Sequence, residues 1–180
     1  VGDPEEGDKE RSDEQKKQDE EKLAQFIEIL LKVDLKLLIR SSLEIAYLLD
    51  EKTLAGIRGL DLDDWDLPGS WKVSRGKGTI TIVTREGTVQ IGGYGNNKYE
   101  ENVMLILDLG GDDQYLNQAG ASTREIPFSA VVDLSGNDTY VASSDFAQGA
   151  GVLGAGFLYD LKGDDSYIAK NYSQGSGFIG

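Results

Sequence analysis

The spacing of apolar residues predicts a helical segment followed by a strand-rich one. Between residues 19 and 39 apolar side chains recur three or four positions apart, as on one face of a helix. A Ser41-x-x-Glu44 capping box precedes a second run of this kind. We therefore predict two helices, at about 18–39 and 42–57. This helical pair (19–58) could cap the open end of a repeat array or form a docking surface.

Strand patterns begin at residue 71. T-I-T-I-V-T at 79–84 and T-V-Q-I at 88–91 flank the turn Arg85-Glu86-Gly87, which predicts a β-hairpin. The stretch before it, 59–70, is rich in turn residues and is interpreted as a linker. Residues 1–18 are almost wholly charged or polar and predict an acidic flexible tail.

A nine-residue phrase recurs after the hairpin. It reads L-D-L-G-G-D-D-Q-Y at 107–115, V-D-L-S-G-N-D-T-Y at 132–140 and Y-D-L-K-G-D-D-S-Y at 159–167, with a degenerate copy, G-Y-G-N-N-K-Y, at 93–99. The closing tyrosines are 16, 25 and 27 residues apart, and A-Q-G-A-G-V-L-G from 147 is echoed by S-Q-G-S-G-F-I-G from 173. Such self-similarity predicts a stack of repeats.

A repeat of about 25 residues with two or three short strands has the size of one coil of a parallel β-helix. We therefore predict a mainly β fold, in which 71–180 form the hairpin and a β-solenoid and the helical segment precedes them. Stacking would place equivalent residues about 4.8 Å apart in columns. Side-chain alternation puts Leu107 and Leu109 on one apolar face, which we expect to be the core, while Asp108 points away from it or into a bend.

The amino-acid composition limits which partners, metals and catalytic groups the chain can use. The 180 residues carry a formal charge of -14 and contain neither histidine nor cysteine. This acidity disfavours nucleic acid as a partner, and the missing side chains exclude the usual zinc, haem and iron-sulfur ligation, thiol nucleophiles and histidine bases. No stretch is apolar enough for a membrane span. Hard cations bound by oxygen remain, and a column of carboxylates must be neutralised by cations, protons or hydrogen bonds.

The phrase resembles a known pattern. G-N-D-T-Y at 136–140 and G-G-Y-G-N-N-K-Y at 92–99 are similar to the G-G-x-G-x-D-x-U repeat of the RTX calcium-binding proteins, which form a parallel β-roll. The resemblance implies calcium ligands at Asn97, Asp113, Asp138 and Asp165, with possible further ligands at Asp112, Asn137 and Asp164. The departures are a period of 25 to 27 residues rather than nine and a closing tyrosine rather than an aliphatic residue. The candidate metal ligands also include the first aspartate of each full phrase, namely Asp108, Asp133 and Asp160.

Two other interpretations of these residues stay open. The Gly-Asp/Asn clusters could serve only as turns, because Asp and Asn side chains bond nearby backbone amides. Asp108, Asp133 and Asp160 could instead be the acids of a carbohydrate-active enzyme, since glycoside hydrolysis needs only two carboxylates. Repetition in every phrase argues for a structural element. For Tyr115, Tyr140 and Tyr167 we expect a stacked ladder.

The sequence therefore predicts a non-catalytic, calcium-stabilised β-solenoid that serves as an extracellular or cell-surface structural, adhesion or self-assembly module. Calcium is the expected ligand. Gly180 falls inside the second Q-G-x-G-x-x-G phrase, so we expect either further repeats or an open edge through which chains self-associate into fibres.

Overall fold

The fold is mainly β, with few helices. The computed structural model describes residues 13–30, 36, 40, 43, 47, 50–59, 72–76 and 78–178. The chain divides into two compact units, Val1–Asp34 and Leu35–Gly180. The first contains helix α1 (Asp13–Leu30), whose described side chains, such as Leu23 and Ile27, are exposed. None of the described helices is long and apolar enough to cross a membrane.

The second unit contains helix α2 and all of the described strands. Helix α2 spans Glu51–Arg58. The strands are β1 (Lys72–Gly76), β2 (Thr79–Val83), β3 (Thr88–Gly92), β4 (Lys98–Tyr99), β5 (Leu105–Asp108), β6 (Gln114–Tyr115), β7 (Phe128–Asp133), β8 (Thr139–Val141), β9 (Gly151–Val152), β10 (Ala155–Asp160), β11 (Ser166–Ile168) and β12 (Gly177–Phe178).

These strands form three sheets. A six-stranded sheet has the order β1-β2-β3-β5-β7-β10, a four-stranded sheet the order β11-β8-β6-β4, and β12 pairs with β9. The predicted hairpin is confirmed, since β2 and β3 pair antiparallel, and the Thr84 hydroxyl accepts bonds from the amides of Glu86 and Gly87 in its turn. From β3 onward the pairings in these sheets are parallel.

The register follows the sequence repeat. Asp108 pairs with Asp133 and Asp133 with Asp160 in the six-stranded sheet. In the four-stranded sheet Tyr99, Tyr115, Tyr140 and Tyr167 pair in succession. The parallel sheets therefore align each phrase with the next. The described strands do not close into a continuous solenoid, because the third side carries regular strands only at β9 and β12.

The tyrosines of the four-stranded sheet form the predicted ladder, and it begins one phrase earlier than predicted. Successive ring centroids from Tyr99 to Tyr167 are 4.9, 4.5 and 4.7 Å apart, with interplanar angles of 19°, 9° and 3°. Tyr115 and Tyr140 are fully buried. They share one hydrophobic cluster with Ile106 and Val131 of the six-stranded sheet, so the core lies between the two sheets.

The prediction that the aspartates point away from the core is wrong. Asp108 and Asp133 are fully buried, and they lie on the face of the six-stranded sheet that carries Ile106 and Val131. The opposite face is apolar as well, with Leu109, Val132 and Leu134 buried in a second cluster. Alternation could not tell which face was inner, because both faces are covered.

Helix α2 covers this second face. Its Leu54 is buried in the cluster with Leu109 and Leu134, and Ile57 packs beside them. The helix begins after Asp50, whose side chain accepts a bond from the Lys52 amide, and it ends at Gly59. The described part of the second predicted helix therefore packs on one face of the six-stranded sheet. The Ser41-x-x-Glu44 box, most of 31–49, residues 1–12 of the predicted tail (1–18) and 60–70 of the predicted linker (59–70) lie outside the described residues. Residues 13–18 of the predicted tail belong to helix α1 instead.

A column of glycines sets how closely the repeats stack. A Cβ placed on Gly136 would overlap the carbonyl oxygen of Gly111 in the preceding repeat, and one on Gly163 would overlap that of Gly136. At Gly111 the Cβ would lie 2.6 Å from the carbonyl oxygen of Gly95. The glycine of the phrase is required because backbone lies directly against it.

We expect Gly136→Ala to lower the free energy of unfolding by about 1–3 kcal/mol, because the backbone of one repeat would have to move away from the next. Gly95→Ala is the matched control, since no atom lies within 4 Å of the added carbon, and it should change stability by less than about 0.5 kcal/mol. Urea unfolding followed by circular dichroism measures both. Equal effects of the two substitutions would contradict this account of the glycine.

Candidate metal site in the aspartate column

The first aspartate of each full phrase ends a strand of the six-stranded sheet. We call Asp108, Asp133 and Asp160 the strand-end column. In β3 the equivalent position is Gly92, which pairs with Asp108. A Cβ on Gly92 would overlap the Asp108 carboxylate and the Tyr99 hydroxyl, so the first repeat has no room for an aspartate here.

Tyrosine hydroxyls connect this column to the four-stranded sheet. Tyr99 donates to Asp108 Oδ2, Tyr115 to Asp133 Oδ2 at 2.6 Å, and Tyr140 to Asp160 Oδ2 at 2.9 Å. Each tyrosine bonds the aspartate of the following phrase. The other oxygens are partly satisfied by the turns, since Asp108 Oδ1 accepts from the Gly110 amide and Asp133 Oδ1 from the Ser135 amide.

The second acidic position forms another column. We call Asn97, Asp113, Asp138 and Asp165 the turn column. Its backbone amides donate to the carboxylate of the next member: Asn97 N to Asp113 Oδ1 at 2.6 Å, Asp113 N to Asp138 Oδ1 at 2.7 Å, and Asp138 N to Asp165 Oδ1 at 2.9 Å. In the turn column these bonds therefore run between repeats, whereas Asp108 and Asp133 make the bonds within one turn that the turn interpretation expected.

A third ladder lies outside and stays exposed. The Asp112 amide donates to Asn96 Oδ1, Asn137 donates to Asp112 Oδ1, and the Asp164 amide donates to Asn137 Oδ1. Asp112, Asn137 and Asp164, which the sequence suggested as additional ligands, are thus bonded to one another and do not join the buried carboxylates. Asp112 and Asp164 therefore provide exposed acidic controls for experiments on the inner columns.

The strand-end and turn columns together form two groups of three carboxylates. In each group one oxygen per residue lies within 4.8 Å of the others. The first group is Asp108, Asp113 and Asp133, all buried; the second is Asp133, Asp138 and Asp160, of which Asp160 is half-buried. Oxygens bound to one calcium ion at about 2.4 Å can be at most about 4.8 Å apart, so either group could hold a metal ion.

Several oxygens at these groups have no partner. Asp113 and Asp138 are 1% exposed, yet the Oδ2 atom of each lacks a hydrogen bond, as does Oδ1 of Asp160. Asn97 is also buried, with Oδ1 unpartnered, while its amide nitrogen donates to Gly95 O and to Asp108 Oδ2. Buried carboxylate oxygens without donors are costly unless a proton or a cation satisfies them. Asp165, in contrast, lies outside both groups.

Burial raises the pKa of the inner carboxyls. Desolvation is the main cause for Asp133, whose pKa rises to about 8, with further contributions from the charges of Asp138, Asp108 and Asp160. The pKa of Asp108 rises to about 7 and that of Asp138 to about 6, again chiefly through desolvation. Desolvation also raises the pKa of Asp113. Without a cation, Asp133 and Asp108 therefore take up protons near neutral pH.

The arrangement offers only oxygen ligands, and a hard cation fits such a donor set. The sequence identified the aspartates but missed the tyrosine hydroxyls as their partners. The available signal was the constant spacing within the three full phrases, each of which places one aspartate at the end of a strand and closes with a tyrosine on the next strand. A third copy of the short Q-G segment was also missed: the backbone amides of Gly149 and Gly175 donate to Ala119 O and Gln148 O, which aligns Ala119-Gly120 with Gln148-Gly149 and Gln174-Gly175.

Comparison with known proteins finds no matching family model, no matching curated protein and no matching solved structure.

We expect the metal-free protein to lose stability as the pH rises from about 5 to about 8. The folded-state pKa of Asp133, about 8, lies above its ordinary value of 3.8. Between these values the folded protein holds a proton that the unfolded chain releases, so the free energy of unfolding falls with increasing pH. Urea unfolding after removal of divalent ions, at several pH values, measures the slope.

Two variants separate this effect from general repulsion in an acidic chain. Asp133→Asn should flatten the slope because the amide does not titrate. Asp164→Asn makes the same charge change in the exposed ladder and should leave the slope nearly unchanged. A wild-type stability that is constant or rises over this range would contradict the assignment.

Proposed function

We propose that the chain is a non-catalytic parallel β-solenoid that binds calcium in its inner aspartate columns and serves as a structural, adhesion or self-assembly module outside the cell. The observation that carries the proposal is the pair of buried three-carboxylate groups in which Asp113 and Asp138 each keep an unpartnered oxygen. The aligned parallel register of the phrases supports the solenoid.

The electrostatics favour a cation in these groups. Two ionised carboxylates 4.8 Å apart repel by roughly 3 kcal/mol at an effective dielectric constant of about 20. Asp133 belongs to both groups, so a fully ionised column contains several such repulsions between carboxylates. A divalent ion removes them and uses the free oxygens of Asp113 and Asp138 as ligands. Extracellular calcium is abundant enough to occupy sites of modest affinity, which supports the proposed location.

An enzymatic role for Asp108, Asp133 and Asp160 has less support. The first two are fully buried, and both are held by tyrosine hydroxyls and turn amides. A glycosidic bond could reach them only after the two sheets separated. The calcium resemblance of the phrase and the repetition of the aspartates both favour a structural role.

Thermal unfolding of metal-free protein, with and without millimolar calcium, tests the proposal. Calcium that binds only the folded state, at a concentration of about 100 times its Kd, adds about 2.7 kcal/mol per site. For a unit of this size we expect a rise in Tm of roughly 5–10 °C. Magnesium should give a smaller rise because it requires a tighter octahedral site.

The matched variants are Asp138→Asn and Asp164→Asn. Asp138→Asn replaces the unpartnered oxygen by an amide nitrogen but keeps the oxygen that accepts from the Asp113 amide, so the calcium-dependent rise should fall by about half. Asp164→Asn removes the same charge from the exposed ladder and should retain the rise. If calcium gives no rise in the wild-type protein, or an equal rise in both variants, the columns are turn and stacking elements and the calcium proposal fails.

A further inference from the structure

The two three-carboxylate groups of the inner columns share one residue. The first contains Asp108, Asp113 and Asp133, and the second contains Asp133, Asp138 and Asp160. Asp133 is common to both because it pairs with Asp108 on one side and with Asp160 on the other in the six-stranded sheet. Neighbouring strands lie about 4.8 Å apart. Ions held in the two groups would therefore lie about one strand spacing from each other, with the Asp133 carboxylate between them.

The Asp133 carboxylate keeps one acceptor site on each of its oxygens. A carboxylate has about four lone-pair sites, divided between its two oxygens. One site on Oδ2 accepts from the Tyr115 hydroxyl, and one on Oδ1 accepts from the Ser135 amide. The remaining sites are thus on different oxygens. This arrangement allows one carboxylate to bind two metal ions.

The outer members of the strand-end column differ from Asp133. Oδ2 of Asp108 accepts from both the Tyr99 hydroxyl and the Asn97 side-chain amide, and Oδ1 accepts only from the Gly110 amide. Oδ1 of Asp160 is buried and has no partner. Each of these two aspartates therefore has acceptor capacity left on Oδ1, where it can bind the ion of its own group.

Each group also has one turn-column aspartate that it does not share. Asp113 belongs only to the first group and Asp138 only to the second. Both residues are 1% exposed. In both, Oδ1 accepts from the amide of the preceding member of the column, while Oδ2 has no donor in the described part of the chain. A buried, unpartnered oxygen beside two further carboxylates is a ligand position for a cation.

Charge balance favours two ions over one. The five aspartates of the two groups carry five negative charges when ionised. One divalent ion leaves three of these charges in the core, and a second ion leaves one. The two ions repel each other across one strand spacing, while the carboxylate between them attracts both. The first ion therefore enters a more negative environment than the second, so the two ions bind with unequal affinity.

We propose that the two groups form one dinuclear calcium centre in which Asp133 bridges the ions and the second ion binds more weakly than the first. Asp108 and Asp113 provide the other carboxylates of one ion, and Asp138 and Asp160 those of the other. The centre rests on the calcium-binding function proposed above and makes its sites a coupled pair. Calcium between one pair of repeats lowers the affinity of the next, which spreads the response of the stack over a wider range of calcium concentration.

Calorimetric titration of the metal-free full chain with calcium measures the affinities, and equilibrium dialysis against radioactive calcium counts the ions. We expect two ions per chain and two Kd values that differ by at least about tenfold, because the first ion cancels part of the charge that attracts the second. Asp164→Asn is the matched control. It removes the same charge from the exposed ladder, so both ions should remain, with each Kd within about twofold of its wild-type value.

Two further variants distinguish a bridged pair from two independent sites. Asp113→Asn and Asp138→Asn each remove the unshared carboxylate of one group and keep the oxygen that accepts the column bond. Each variant should bind one ion. That ion should bind at least about threefold more tightly than the second wild-type ion, because the opposing ion is absent and only one carboxylate has been lost. With independent sites, one of the two variants would instead reproduce the weaker wild-type Kd.

Two ions bound in unequal steps, with tighter binding of the remaining ion in both variants, support the bridge. A single ion in the wild-type protein, or a variant that reproduces the weaker wild-type Kd, overturns the bridge and leaves the calcium-binding function standing. Absence of calcium binding overturns both. If circular dichroism shows that a variant does not fold, wild-type crystals soaked in calcium decide the question. Two ions on the Asp133 carboxylate support the bridge, and any other placement overturns it.

Discussion

The inner carboxyl groups of successive full phrases stack directly over one another in the core, and the register of the repeat region depends on the hydrogen bonds that satisfy them. Parallel strands alone do not specify which residues align, because their backbone bonds form at any even offset. Here the tyrosine hydroxyl must reach the strand-end carboxylate of the next phrase while the turn-column amide reaches its turn-column carboxylate. A shift of two residues would leave a buried carboxylate without donors, which costs more than the backbone bonds of one short strand.

This requirement also explains how strands of two or three residues persist. Strands β4 and β6 contain two residues each, too few for an independent sheet. The stacked tyrosine rings pack against one another on the inner face of the four-stranded sheet. The glycine column allows the turns of successive repeats to approach one another as closely as the strands do. Side-chain and turn contacts between repeats thus supplement the short backbone ladders.

The sequence predicted the repeat, the hairpin and the mainly β fold because each depends on local pattern or on exact recurrence. It predicted the wrong inner face for the six-stranded sheet, since the face that carries the aspartates packs against the tyrosines. Leu107 and Ile106 are both apolar, and helix α2 gives the outer face a cover that alternation alone cannot reveal. The aspartates were identified as a column, but their burial was missed, because a buried carboxylate is recognised only once Tyr99, Tyr115 and Tyr140 are known to lie opposite.

The choice of aspartate over asparagine at the inner positions carries a further consequence. At position 97 an asparagine occupies the turn column, donates to Gly95 O and Asp108 Oδ2, and brings no charge. In the exposed ladder Asn137 alternates with Asp112 and Asp164. A neutral amide therefore fits this geometry, yet all three full phrases place aspartate at both inner positions. If hydrogen bonding were the only requirement, amides would meet it without the desolvation that raises the pKa of Asp133. Retaining a removable charge in the core makes the stability of the stack respond to whatever neutralises it, and a proton or a divalent cation can do so at the same atoms.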